Sequence, residues 1–131
     1  MSDAGLKDSA VKDDVLAVVA AAPEGRVLTY RALGGWLGVS ARQVAYLLGQ
    51  LSPQEADAAP WHRVVGDEGW LGAVKVDSSG RSQEERLASE GVSIAGGRVA
   101  DFEQVRIGVA ELDSGVPQRL PVEDAADWRE P

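Results

Sequence analysis

Residues 29–51 read TYRALGGWLGVSARQVAYLLGQL, and this stretch decides the fold. Tyr30, Leu33, Trp36 and Leu37 recur at three- and four-residue spacing, the period of one face of a helix. Thr29 stands in front of them as a cap, and Gly38 stops the helix behind them. Val39-Ser40 leaves room only for a tight turn. Ser40 followed by Gln43 is then the signature of a new helix start, over about Ala41 to Leu51. Two short helices joined by a tight, glycine-containing turn form a helix-turn-helix pattern. By spacing alone the pattern fits two packed helices with no nucleic-acid role as well as a DNA-reading pair.

Working outward, Val11, Val15, Val18, Val19 and Ala22 predict an amphipathic helix over about Leu6 to Ala22. Asp8, Asp13 and Asp14 lie towards its N-terminal part, where carboxylates suit the helix dipole. Pro23-Glu24-Gly25 ends it, residues 1–5 are expected to be disordered, and Arg26-Val27-Leu28 reads as a short extended piece. On the other side, Ser52 to Ala59 is expected to be a polar loop. It leads into Pro60-Trp61-His62-Arg63-Val64-Val65, with Trp61 to Val65 as one arm of a hairpin that turns at Gly66-Asp67-Glu68-Gly69 into Trp70-Leu71. Lys75 to Arg81 reads as a charged connection. Ser82-Gln83-Glu84-Glu85 is a capping box opening a helix that Gly91 closes. Val92-Ser93-Ile94, Gly96-Gly97 and Arg98-Val99 form a hairpin, and Phe102 to Val109 a further strand. Beyond Gly108 the composition turns acidic and proline-bearing, which predicts a tail docked loosely at most. There is no internal repeat. The organisation expected is a disordered 1–5, one domain over 6–107 and an acidic tail over 108–131. The fold class is α/β, mostly helical, with a winged-helix-like arrangement of a helix-turn-helix and a short β-hairpin, which is a DNA-binding domain if the helix pair reads DNA.

Composition narrows the chemistry. The chain has 131 residues and is 44% hydrophobic, enough for one domain with a real core. No stretch approaches the ~18–20 apolar residues that cross a bilayer, and the short acidic N-terminus does not read as a secretory signal. A cytoplasmic monomer with no membrane partner is expected. There is no cysteine and one histidine. That removes disulfides, thiol nucleophiles and thiolate metal sites, and leaves a structural zinc site without ligands, so neither metal nor cofactor is expected. The net charge of −8 argues against a strongly basic nucleic-acid binder. Its distribution is uneven, however. From Glu24 to Gly66, four arginines face three acids, 4 − 3 = +1; from Glu111 to Pro131, two arginines face six acids, 2 − 6 = −4.

The blocks Gly25-Arg26-Val27-Leu28-Thr29-Tyr30-Arg31-Ala32-Leu33, Ala41-Arg42-Gln43-Val44, Pro60-Trp61-His62-Arg63-Val64-Val65-Gly66 and Leu87 to Gly91 resemble the C-terminal domain of O6-alkylguanine-DNA alkyltransferases. The likeness runs from about Val15 to Val99, and the Pro-x-His-Arg-Val-Val block is its most specific part. In the repair enzymes the residue between Pro and His is the cysteine that accepts the alkyl group; here it is Trp61. That replacement is similar to the alkyltransferase-like proteins, which bind alkylated guanine without repairing it. The chemistry agrees independently, because accepting an alkyl group needs a soft, ionisable nucleophile and an indole N–H is not one.

The resemblance implies roles. Arg42 matches the arginine finger that enters the stack through the minor groove, a groove where insertion and bending dominate over sequence reading. Tyr30 matches the residue that helps rotate the nucleotide out of the duplex, a step costing a few kcal/mol of unstacking. Thr29 and Arg31 flank it as DNA contacts. Trp61, Tyr30, Val64 (through its backbone) and Lys75 would line the lesion pocket. His62, Arg63 and Glu90 match the group that serves the thiolate in the enzymes and read here as a structural remnant. Two departures stand out. Ser52-Pro53 replaces Asn-Pro, and Gly72-Ala73-Val74-Lys75 replaces a Gly-Tyr pocket segment, which would admit larger alkyl groups. The function expected is a non-catalytic sensor of O6-alkylguanine in double-stranded DNA, nucleoid-associated when bound, that flags lesions to nucleotide excision repair proteins. The alternatives are a sequence-preferring regulator on the same fold and an acid–base enzyme using His62 and Glu90.

Overall fold

A computed structural model describes residues 2–72 and 76–119. Helix α1 (Ser2–Ala20) is followed by strand β1 (Leu28–Thr29), helices α2 (Tyr30–Leu37), α3 (Ala41–Gly49) and α4 (Pro53–Ala58), and strand β2 (Val64–Val65). Helix α5 (Gln83–Ser89), strands β3 (Ile94–Ala95) and β4 (Arg98–Val99), and helix α6 (Phe102–Val105) complete the regular elements.

The helix-turn-helix forms as its caps dictate. The Ala32 N–H donates to Thr29 Oγ1 at 3.0 Å and the Gln43 N–H to Ser40 Oγ at 3.0 Å, each satisfying a donor that a helix start leaves free. Gly38 closes α2 with φ +74°, a left-handed conformation that a side chain would strain. Gly34 is needed for a different reason. A Cβ there would sit 2.5 Å from the Val39 carbonyl oxygen, so the turn can fold back onto α2 only because this side chain is absent.

β1 and β2 pair in parallel, Leu28 with Val64 and Thr29 with Val65. On the other side, the Val27 N–H donates to the Val105 carbonyl (3.0 Å) and the Ile107 N–H to the Val27 carbonyl (2.9 Å). The pleat then sorts side chains between two cores. Leu28 and Val64 join α1, α2, α3 and Trp61 in one; Val27 and Val65 join Leu87, Val92, Val99 and Phe102 in the other. β3 and β4 form the expected hairpin.

Several expectations are corrected. Helix α1 already includes Ser2, so residues 2–5 are helical; one glycine in that turn, at about 1 kcal/mol against alanine, does not stop the helix. Residues 53–58 are a helix and not a loop. Ser52 accepts from the Glu55 N–H, Glu55 returns to the Ser52 N–H, Pro53 occupies the first turn, and Ala56 is wholly buried. Trp61 to Arg63 is a 3-10 turn. The expected partner of that stretch, Trp70, bridges instead to Arg98, and only the Gly66 N–H to Trp70 carbonyl bond (2.8 Å) remains of the hairpin. Phe102 to Val105 is helical, with a bridge at Arg106 in place of a strand.

The chain after Gly108 is not loose as far as Arg119. Val109 is buried, and Leu112 and Val116 pack against the first core. The Trp36 indole N–H donates to the Val116 carbonyl (2.9 Å), the Arg119 N–H to the Trp36 carbonyl (2.7 Å), and the Arg119 guanidinium pairs with Asp14. The rest of the expected tail, residues 120–131, lies outside the described residues.

Candidate nucleic-acid interface and lesion pocket

The first turn of α2 and the start of α3 carry the side chains expected to meet DNA. Thr29 spends its hydroxyl on the cap. Tyr30, the first residue of α2, is half-buried against the first core, and that burial raises its phenol above the usual range. Arg31 is exposed and forms a bidentate pair with Asp67, Nη2 to Oδ2 at 2.8 Å, which holds the Asp67 carboxyl below its usual range. Arg42 is the second residue of α3, exposed and without an ion pair among the described residues. No Asp or Glu occurs between Glu24 and Glu55, so neither helix carries an acid of its own in an acidic chain.

Behind them, the 3-10 turn carries Trp61, which is 3% exposed, and His62, which is 2% exposed. Glu90, at the C-terminal cap of α5, ties this turn down. It accepts from Arg63 Nη2 (2.6 Å) and Nε (3.0 Å), from the Gly25 N–H (3.0 Å), and from His62 Nε2 (2.7 Å). Arg63 also donates to the Ala22 carbonyl at 2.7 Å, so one carboxylate and one guanidinium join α5, the turn and the end of α1. Burial would raise the Glu90 carboxyl, but these donors outweigh it and hold the group at about 2. Burial lowers the His62 pKa against the pull of Glu90, so the ring is neutral and its Nε2–H donates. Among the described residues, two buried side-chain polar atoms are then left without a partner, His62 Nδ1 and Trp61 Nε1.

Further side chains that the sequence reading passed over complete the site. Gln83, 2% exposed, donates to the His62 carbonyl (3.2 Å) and the Val64 carbonyl (2.8 Å). The Val64 N–H is given to the Trp61 carbonyl, so both backbone groups of Val64 are engaged within the chain. A base edge could use only the remaining lone pair of that carbonyl. Arg86 stacks over the Trp61 ring at 5.5 Å and is itself held by the Ala56 carbonyl (3.2 Å) and Asp77 (3.4 Å). The signal for these residues was the spacing 83, 86, 87, 90, which puts Gln83, Arg86, Leu87 and Glu90 on one face of α5. A cleft of about 390 Å³ opens beside the network, with Glu24, Asp57, His62, Arg63, Arg81 and Arg86 in its walls. Lys75 and the segment 73–75 lie outside the described residues. Among the described residues no group of His, Asp or Glu is placed to hold a metal ion, and no helix is long and apolar enough to cross a membrane.

The chain is similar to several known proteins. Residues 10–92 match the family described as the 6-O-methylguanine DNA methyltransferase DNA-binding domain. The chain is 34% identical over 102 residues to the DNA base-flipping protein of Escherichia coli K12, covering 76% of each. It is 34% identical over 86 residues to a bifunctional methyltransferase/endonuclease of Thermoplasma volcanium, of which it spans 26%. Among solved structures it resembles S. pombe Atl1 in complex with damaged DNA containing O6-carboxymethylguanine, with a TM-score of 0.65 and 27% identity over 76% of this chain and 95% of that one. A second S. pombe ATL complex with DNA gives a TM-score of 0.61 at 26% identity, over 73% and 93%.

Proposed function

The chain belongs to the family of 6-O-methylguanine DNA methyltransferase DNA-binding domains, and from that premise we propose that it binds O6-alkylguanine in duplex DNA, flips the nucleotide, and does not repair it. One observation carries this reading. The position between Pro60 and His62 holds a buried tryptophan whose indole N–H has no partner among the described residues, in a chain with no cysteine. An orphan donor in a dry site costs roughly 1–3 kcal/mol, and a ligand oxygen that accepted from it would recover that cost. A flipped alkylguanine offers such an oxygen at O6, and the indole face offers apolar contact to the alkyl group.

The same reading gives the other parts their roles. Arg42, exposed at the start of α3, is the finger that fills the space left in the stack. Tyr30 crowds the nucleotide from the mouth of the pocket while its ring is braced by the core. Thr29 and Arg31 meet the backbone, Arg31 by exchanging Asp67 for a phosphate. Trp61 and Val64 line the pocket; Lys75, which the resemblance adds to it, lies outside the described residues. His62, Arg63 and Glu90 hold the turn in place as a hydrogen-bonded brace, with no thiol to activate. The bound lesion is handed to nucleotide excision repair, in the cytoplasm, on the nucleoid. A duplex carrying an isotopically labelled O6-methyl group tests the absence of chemistry. The label stays on the DNA while the complex forms; label recovered on the protein would overturn the reading.

A further inference from the structure

Helix α3 buries Val44, Leu47 and Leu48 and leaves Arg42, Ala45, Tyr46 and Gly49 exposed. Arg42 and Tyr46 are four residues apart, so their side chains are neighbours on one face of the helix. Tyr46 is 59% exposed, more than either of the other large exposed hydrophobic residues among those described, Trp70 at 51% and Val76 at 48%. It belongs to neither core, and among the described residues its ring and hydroxyl have no stacking or hydrogen-bond partner. Beside it the surface is low: Ala45 is small, and nothing lies within 4 Å of a Cβ placed at Gly49. The fold therefore gives no account of this ring. Helix α3 itself carries a cation and no acid, which suits a polyanion, and it adjoins the surface already read as the DNA contact.

We propose that Tyr46 is a second groove-contacting side chain, its ring lying against the sugars and base edges of the minor groove one helical turn from the Arg42 guanidinium. Every sugar along the groove offers an apolar surface to such a ring, so the contact strengthens binding without choosing a sequence or a lesion. It divides the labour on α3: Arg42 answers the flipped nucleotide, and Tyr46 seats the helix in the groove. The inference rests on the reading that α3 faces the DNA.

The test compares wild type, Tyr46→Ala, Tyr46→Phe and Arg42→Ala on matched duplexes with and without one O6-methylguanine, with thermal unfolding as a check that each variant is folded. Tyr46→Ala weakens binding to both duplexes about fivefold or more, the low end of aromatic stacking on a base, and leaves their ratio unchanged. Tyr46→Phe binds like wild type. Tyr46→Ala binding within about twofold of wild type while Arg42→Ala loses affinity would overturn the proposal and leave the DNA reading standing. Loss in Tyr46→Phe equal to that in Tyr46→Ala would overturn it too, since the hydroxyl and not the ring would be the contact. If wild type binds and neither Arg42→Ala nor Tyr46→Ala weakens it, α3 does not face the DNA, and the reading of the site falls together with the proposal.

Discussion

Glu90 shows how much one side chain can hold. Its two oxygens take bonds from Arg63, His62 and the Gly25 N–H, so it connects three segments that are far apart in the chain. Glu90→Gln leaves the Arg63 guanidinium, whose side chain is 16% exposed, without its carboxylate. Breaking a buried pair from one side costs about 3–5 kcal/mol, which denaturant unfolding measures. The same group sets an acid limb. Its folded pKa of about 2 lies below the ordinary 4.5, so its stabilisation is complete above pH 4.5 and is lost as pH falls towards 2. His62 is depressed as well and adds a loss that begins below its ordinary 6.5. Glu90→Gln therefore flattens the stability profile between pH 4.5 and 2. Asp67 works in the other direction. It occupies the Arg31 guanidinium that a phosphate would need, and exposed pairs are worth 0–1 kcal/mol. Asp67→Asn is expected to tighten DNA binding by up to about fivefold, read by titration of a labelled duplex.

At the scale of elements, the turn between α2 and α3 is where sequence and structure agree most closely. Thr29, Ser40 and Gly38 act locally, each within three residues of what it caps, and so were legible. Gly34 is the element's tightest point. Gly34→Ala pushes a methyl group to 2.5 Å from the Val39 carbonyl, and the shift needed costs about 1–3 kcal/mol, with α3 displaced and lesion affinity lowered. Unchanged unfolding and unchanged binding would show that the turn is slacker than this. Helix α4 was legible too, since Ser52-Pro53-x-Glu55 is a capping box with proline in the first turn, but the polar composition hid it. What could not be read from the sequence depends on distance along the chain. The pairing of Leu28 with Val64, the stack of Arg86 on Trp61 and the bond from Trp36 to Val116 join residues 36, 25 and 80 positions apart. Local pattern carries no signal for such contacts. The strap over 109–119 illustrates this: its acidic, proline-bearing composition reads as tail, while Val109, Leu112 and Val116 find a core only once α1 and α2 are folded.

Over the whole molecule, charge is the feature that sets this chain apart from a strongly basic DNA binder. A net −8 repels the duplex at long range, while α2 and α3 carry Arg31 and Arg42 and no acid of their own, Asp67 being set against Arg31 from outside them. With two cations meeting phosphate or groove, the logarithm of affinity should fall with the logarithm of salt at a slope of about −2. A slope of −5 or steeper would mean that the DNA path crosses other arginines. On the proposed reading, modest electrostatics also place the burden of specificity on the pocket, where the Trp61 N–H has no partner among the described residues. The most direct test is equilibrium binding to two duplexes identical except for one O6-methylguanine. A preference of more than tenfold for the damaged duplex, about 1.4 kcal/mol, is expected whatever the flanking sequence. Equal affinity for the two, or a preference that follows sequence and ignores the lesion, would contradict it.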